Sequence, residues 1–277
     1  MTQHSRDADR LPRTWTELSG PLHAEMAVGD DSASPALILL HGFTQTCRSW
    51  DPFLDALESR HRTLPTIIRV DLPGHGGSGK VSADLPTTAD LVVETCGSGI
   101  YCGYSMGGRV ALHVAAQHPH AVRALITIGA TAGILDADER ARRRSADDDL
   151  ASTIEHIGTT AFVDQWLAQD MFSGLPKSEV DLAQRRSNSA DGLATSLRLA
   201  GTGTQESLWP HLRTFTMPTL FLAGANDQKF SAIADDMADA VGPTARSGRI
   251  RDSGHSAHLE NPMATADVIN SFLNGLY

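Results

Sequence analysis

Ser105 stands in Ile100-Tyr101-Cys102-Gly103-Tyr104-Ser105-Met106-Gly107-Gly108-Arg109, an apolar run that meets Gly-x-Ser-x-Gly and then turns helical. A serine on a sharp strand-to-helix turn holds its hydroxyl clear of both elements. Glycines at 103 and 107 meet a physical need, because a side chain there would collide with the neighbouring strand or helix. The hydroxyl is a poor reagent until a base takes its proton and an acid orients that base. The acid candidate is Asp227, three residues past the apolar run Thr219–Gly224, with Asn226 and Asp235 as alternatives. The base candidate is His255 in Asp252-Ser253-Gly254-His255-Ser256-Ala257-His258, where Gly254 would allow a sharp loop. His258 is its rival, and His41 and His75 are lesser ones. Two backbone amides would hold a developing negative charge: that of Met106, after the serine, and that of Phe43 in His41-Gly42-Phe43. No carboxylate or thiol completes a metal-ligand set around the late histidines, so neither a metal nor a cofactor is expected.

These residues need a strand before each of their loops. Leu22, Ala24, Met26 and Val28 alternate as an edge strand would, and Pro35 to Leu40 reads as a buried strand. Trp50, Phe53, Leu54 and Leu57 are helically spaced. Thr66 to Val70, Ile100 to Tyr104, Ala124 to Gly129 and Thr219 to Gly224 follow as strands, with a weak one at Arg249 to Ile250. Ala89 to Val93 predicts a short helix, and a longer one runs from Arg109 towards Pro119. Strands alternating with helices imply a mostly parallel, doubly wound α/β sheet. Between Gly129 and Thr219 only helical patterns occur, at roughly 136–157, 159–170, 177–188 and 190–200. They predict a helical lid, residues 131–215, over a core made of residues 1–130 and 216–277.

One stretch invites a different reading. Gly74-His75-Gly76-Gly77-Ser78-Gly79-Lys80 satisfies two phosphate-loop patterns after a strand. Both need a helix N-terminus directly afterwards. Val81-Ser82-Ala83-Asp84-Leu85-Pro86 does not start one convincingly, and Val81 replaces the magnesium-binding hydroxyl. The stretch is expected to be a glycine-rich surface turn.

Composition narrows the partners. The chain has 277 residues, 41% of them hydrophobic, and a net charge of −10, so nucleic acid and anionic membrane are poor partners. No apolar run has transmembrane length, which argues against membrane insertion, and Met1 to Trp15 is polar, without a signal-peptide pattern. Cys47, Cys96 and Cys102 are few and widely spaced, as in a reduced cytoplasmic protein. The oligomeric state cannot be read from one sequence. Against the acidic background stand Arg109, in the first turn after Ser105, and Arg140, Arg142, Arg143, Arg144, Arg185 and Arg186 in the lid region. Any one of them suits a solvated helix face. Together they suggest a cationic pocket for a small anionic substrate with several carboxylates.

From about residue 22 onward the motifs resemble those of the α/β-hydrolases: His41-Gly42-Phe43, Asp71-Leu72-Pro73-Gly74-His75-Gly76, Gly103 to Arg109, Asp227-Gln228-Lys229-Phe230 and Gly254 to Pro262. Ala141-Arg142-Arg143, Phe162-Val163-Asp164-Gln165-Trp166 and Arg186-Ser187-Asn188 narrow the resemblance. They look like lid motifs of the MenH family, the 2-succinyl-6-hydroxy-2,4-cyclohexadiene-1-carboxylate synthases of menaquinone biosynthesis. Thr44-Gln45 and the proline-free Thr131-Ala132-Gly133-Ile134 depart from that pattern. The resemblance implies substrate-carboxylate contacts from Arg109, Arg143 and Arg186, and a pocket wall containing Tyr104, Trp166 and Phe172. It also implies a lyase in which Ser105, His255 and Asp227 act as a general base and pyruvate leaves by elimination. The alternative is a hydrolase of esters, or of C–C bonds in ring-cleavage products, using Ser105 covalently. A non-catalytic binder on this fold would have no need of all three residues.

Overall fold

The computed structural model describes residues 13–31, 34–60 and 63–276; most of the polar lead-in read from the sequence lies outside them. Its elements, in chain order, are β1 (Thr16–Glu17), β2 (Ala24–Ala27), β3 (Leu37–Leu40), α1 (Asp51–Arg60), β4 (Ile67–Val70), α2 (Leu85–Cys96), β5 (Gly99–Tyr104), α3 (Met106–Gln117) and β6 (Val122–Ile128). Then come α4 (Ala137–Leu167), α5 (Glu179–Arg186), α6 (Ala190–Ala200), α7 (Trp209–Leu212), β7 (Thr219–Gly224), α8 (Gln228–Val241), β8 (Ala245–Ile250), α9 (Ala257–Glu260) and α10 (Pro262–Asn274).

The strands form one sheet in the order β1-β2-β4-β3-β5-β6-β7-β8. β2 runs antiparallel to β1 and β4, and all other pairings are parallel. Leu37 to Leu40 are buried throughout because side chains alternate across a sheet covered on both faces. Ile38 and Leu40 join Tyr101, Leu125 and Phe221 on one side, where α2, α3 and α8 pack. Leu37 and Leu39 join Ile100, Cys102 and Ile126 on the other, with α1 and α10. Each fully buried aliphatic side chain contributes about 1.5–3 kcal/mol. The strand order reverses between β3 and β5, which opens a crevice at their carboxyl ends.

Two elements exceed their sequence signals. α2 begins at Leu85 rather than Ala89, because Asp84 caps it by accepting the Thr87 amide and Pro86 fits the first turn. β8 spans six residues instead of two, because pairing with β7 from Thr219–Ala245 to Gly224–Ile250 orders a half-exposed sequence with little hydrophobic pattern.

Between β6 and β7 no strand occurs among the described residues, and α4 to α7 fill the interval. Gly158, at φ 77° and ψ 164°, breaks the long α4. The helices share a small core of Ala151, Ile154, Phe162, Leu193, Ala194 and Leu197, against which Phe43 packs.

The glycines beside Ser105 close this architecture. A Cβ at Gly107 would lie 2.1 Å from the Leu40 carbonyl oxygen, and one at Gly103 would lie 2.2 Å from that of Gly107. Backbone cannot rotate away as a side chain can. Gly107→Ala should therefore cost about 3 kcal/mol or more and Gly275→Ala, at φ −87° with no atom nearer than 3.4 Å to its added Cβ, less than about 1 kcal/mol, compared by thermal unfolding; equal losses would refute the close-approach argument.

Candidate active site

Ser105 follows β5 directly and adopts φ 49° and ψ −106°, a strained conformation for a residue with a side chain. Its amide donates to Ile128 O at 2.8 Å, which anchors the turn between β5 and β6. The hydroxyl lies 3.4 Å from His255 Nε2, and His255 Nδ1 lies 2.8 Å from Asp227 Oδ2. An ionised carboxylate only accepts, so Nδ1 carries the proton and Nε2 is left to accept from the serine. Burial opposes ionisation of Asp227. Hydrogen bonds from His255 and the Phe230 amide, with the nearby His255 and Lys229, outweigh it and hold the carboxyl below its usual range. The three residues come from the carboxyl ends of β5, β7 and β8, brought together across more than a hundred residues of sequence.

The His255 loop is shaped differently from the sequence expectation. Gly254 has no positive φ; the left-handed residue is Asp252, at φ 52°. The tight contact belongs to Gly224, whose Cβ would lie 2.0 Å from the Gly254 carbonyl oxygen. Glu260 then clamps the loop, accepting from the amides of Gly254 (2.6 Å) and Ser256 (2.9 Å). Gly129 gives the ring room, since a Cβ there would come 3.0 Å from His255 Cε1. The rivals are placed elsewhere. His258 is fully buried against Tyr104 and Trp50, and neither of its ring nitrogens has a hydrogen-bond partner among the described residues. Asp235 pairs with Arg249 and Ser247, away from His255. His41 and His75 join loops: His41 accepts from Leu72 N and donates to Gly42 O, while His75 accepts from Thr44 N and donates to Pro73 O.

The turn after β3 leaves one amide free. The amides of Gly42, Thr44, Gln45, Thr46 and Cys47 all donate within the protein, whereas Phe43 N has no partner among the described residues. Met106 N opens α3, where first-turn amides lack helical acceptors.

A cavity of about 920 Å³ extends from Ser105 and His255 beneath the lid. Phe43, Tyr104, Met106, Trp166 and Phe172 line it, as do Arg109 and Arg143. The Tyr104 hydroxyl exchanges a hydrogen bond with Ser256 at 2.7 Å, so the ring is what it offers the cavity. Arg109 is buried and donates to Ala200 O at 2.7 Å; burial and the neighbouring Arg143 push its pKa down to about 10, still a cation at neutral pH. Arg143 Nε is held at 2.7 Å by the buried Asp147.

Arg186 is a correction. It does not line the cavity; it pairs with Asp164 on a part-exposed flank of the lid, 2.5 Å away. Arg185, one residue earlier, lines it instead, with side-chain exposure of only 2%. Adjacent residues on a helix point about 100° apart, so a one-residue difference decides which of them faces inward. Asp181 and Thr44 hold Arg185 Nε and Nη1, while Nη2 has no hydrogen bond among the described residues.

With the geometry in place, comparison with known proteins is direct. The profile of the alpha/beta hydrolase family matches residues 37–268. The chain belongs to that family. It is 34% identical over 266 residues to a putative 2-succinyl-6-hydroxy-2,4-cyclohexadiene-1-carboxylate synthase of Bacillus subtilis, covering 90% of this chain and 95% of that one. It is 32% identical to the synthase of that name from Salmonella enteritidis, over 91% of this chain and 98% of that one. Among solved structures, MenH from S. aureus superposes with a TM-score of 0.81 at 29% identity, covering 92% of this chain and 98% of that one. The chain is thus an alpha/beta-hydrolase-fold enzyme akin to these synthases along nearly its whole length.

The phosphate-like loop is a turn only partly at the surface: Gly76, Gly77 and Lys80 are exposed, but its other side is packed. Gly74, His75 and Ser78 are buried, and a Cβ at Gly74 would lie 2.4 Å from Gly192 O in the lid. Asp71 organises it, accepting from Cys47 N and Gly77 N and from His23 Nδ1. Those contacts also explain why His23, Cys47 and Asp71 gather within 4.8 Å, the one group of potential metal ligands among the described residues. The carboxylate is already committed, and burial drives the Cys47 thiol away from the thiolate a metal needs. Among the described residues no helix is long and apolar enough to cross a membrane.

Four histidines, 41, 75, 113 and 258, are held neutral chiefly by burial, His75 down to about 3 and His113 to about 4. Their folded pKa values lie below the unfolded value, so unfolding takes up protons and stability falls as pH drops below about 6.5. At pH 5 His75 alone should cost about 2 kcal/mol. Calorimetric unfolding at pH 5 in buffers of different ionisation enthalpy should report a net uptake of about two protons or more, from His75 and His113 at least; uptake near zero would contradict the buried neutral rings.

Proposed function

We propose that this enzyme is a carbon–oxygen lyase that eliminates pyruvate from a multi-carboxylate cyclohexene intermediate of menaquinone biosynthesis. The observation that carries the reading is the placement of Arg109, Arg143 and Arg185 around the cavity that reaches Ser105. A hydrolase of simple esters has no use for three buried or half-buried guanidinium groups. Carboxylates do, since each charge-assisted bond in such a site contributes roughly 1.5–3 kcal/mol. The names of the relatives support the same substrate class.

In this mechanism the arginines orient the substrate carboxylates, with Tyr104, Trp166 and Phe172 against the ring. His255 takes the Ser105 proton, and the serine oxygen removes a proton from a ring carbon. The electron pair forms the new double bond as the carbon–oxygen bond to the leaving group breaks. The departing enolate recovers a proton and becomes pyruvate, so atoms and charge balance. Negative charge that develops on the substrate faces the amides of Phe43 and Met106. Asp227 keeps the imidazole in the accepting tautomer throughout. No acyl-enzyme forms, so a burst of covalent intermediate on the native substrate would favour the hydrolase reading instead.

Pyruvate release from the menaquinone intermediate, followed with a coupled dehydrogenase, tests this directly. Ser105→Ala should lower kcat by about 10³-fold or more. Arg143→Ala should lower kcat/KM on the multi-carboxylate substrate by about 10–100-fold while sparing a neutral ester. Arg186→Ala, outside the cavity, should stay within about threefold of the parent. No pyruvate from the parent enzyme would overturn the lyase assignment, and equal losses on both substrates would overturn the arginine clamp.

A further inference from the structure

The residue that holds the turn bearing Phe43 belongs to the lid. Thr44 is fully buried and has φ 67°, a left-handed conformation that a β-branched residue does not adopt unless its surroundings impose it. Three contacts impose it. His75 Nε2 takes the Thr44 amide, Arg185 Nη1 donates to its hydroxyl at 2.7 Å, and Asn188 Nδ2 donates to its carbonyl oxygen at 2.8 Å. Two of the three come from the end of α5 and the residues just beyond it. Asn188 is itself locked, with Oδ1 accepting Gly76 N at 2.8 Å and Nδ2 also reaching Arg185 O at 3.1 Å. The turn is closed internally by Gly42 N on Gln45 Oε1 and Gln45 N on Gly42 O. The peptide that carries the Phe43 amide, Gly42–Phe43, is held at its carbonyl by His41 Nδ1 and Gln45 N; pinning Thr44 on its amide, hydroxyl and carbonyl fixes the far side of the same tight turn, and with it the direction of the uncommitted Phe43 amide.

We propose that Asn188 is a positioning residue that aims the Phe43 amide at the reacting oxygen, so that the oxyanion site is complete only when the lid is seated. It touches no reacting atom and acts through Thr44. The proposal rests on the reading of Ser105 and Phe43 given above, but not on the identity of the substrate, because the same amide serves any reaction that builds charge beside Ser105.

Asn188→Asp removes the donor to Thr44 O, together with the weaker one to Arg185 O. It keeps the acceptor for Gly76 N and replaces the donor facing Thr44 O with an oxygen. The expected result is a fall in kcat of about 10–100-fold on both the carboxylate substrate and a neutral ester, with KM changed less than about threefold. Phenylboronic acid, whose adduct with Ser105 places an oxygen between the two amides, should bind about tenfold more weakly by calorimetry. Asn188→Ala removes the donor to Thr44 O without adding a charge and carries the same comparison should Asn188→Asp not fold. Gln184→Ala is the control: it cuts the nearby lid contact to the Thr46 hydroxyl, 3.3 Å, without touching Thr44, and should leave kcat and boronate affinity unchanged. Unchanged kcat and boronate affinity in Asn188→Asp would overturn the proposal, as would an equal loss in Gln184→Ala. An enzyme that releases no pyruvate yet hydrolyses the ester and binds the boronate would fail the lyase reading alone.

Discussion

Everything at this site depends on holding one serine in a conformation that serine resists. At φ 49° the Ser105 backbone is stable only because β5 and α3 meet with almost no separation, and they can do so only across Gly103 and Gly107. The strain is stored at the turn beside the cavity, and the packing of two sheet faces and five flanking helices sustains it. His255 is positioned as strictly. The Gly224 contact, the Glu260 clamp and the space left by Gly129 bring its ring between Asp227 and Ser105.

The lid solves an electrostatic problem. Arg143 stands close enough to the buried Arg109 to disfavour its charge, and burial removes the water that would screen Arg109. Asp147 and the carbonyl of Ala200 relieve that repulsion from behind. Both arginines line the cavity, where the proposed substrate carboxylates would complete the neutralisation. An acidic protein can in this way hold an anion, because local geometry, and not net charge, sets the potential inside a cleft.

Much of this was legible in the sequence. The buried strands announce themselves as short apolar runs, and the serine turn, the acid after β7 and the histidine after β8 occur in the order their loops require. The four helical stretches of the lid were visible as well, including the interruption at Gly158. What could not be read follows from interactions distant in sequence. Whether Arg185 or Arg186 faces inward depends on helix phase, which a run of two arginines does not reveal. The length of β8 comes from its partner strand. The loop from Gly74 to Lys80 looks like a surface turn until Gly192 and Asn188 of the lid close over it. Glu260 and Asn188 act on backbone amides and carbonyls, and no local pattern marks such contacts.

Gly158 has a consequence of its own. The segment of α4 before it carries Arg143 and Asp147, and the segment after it carries Trp166. One unusual pair of backbone angles therefore works as the joint of a caliper, setting the span between the charged wall of the chamber and its aromatic wall. The distance between those two walls is thus set at a residue that has no side chain and, among the described residues, no neighbour within 4 Å of where one would begin.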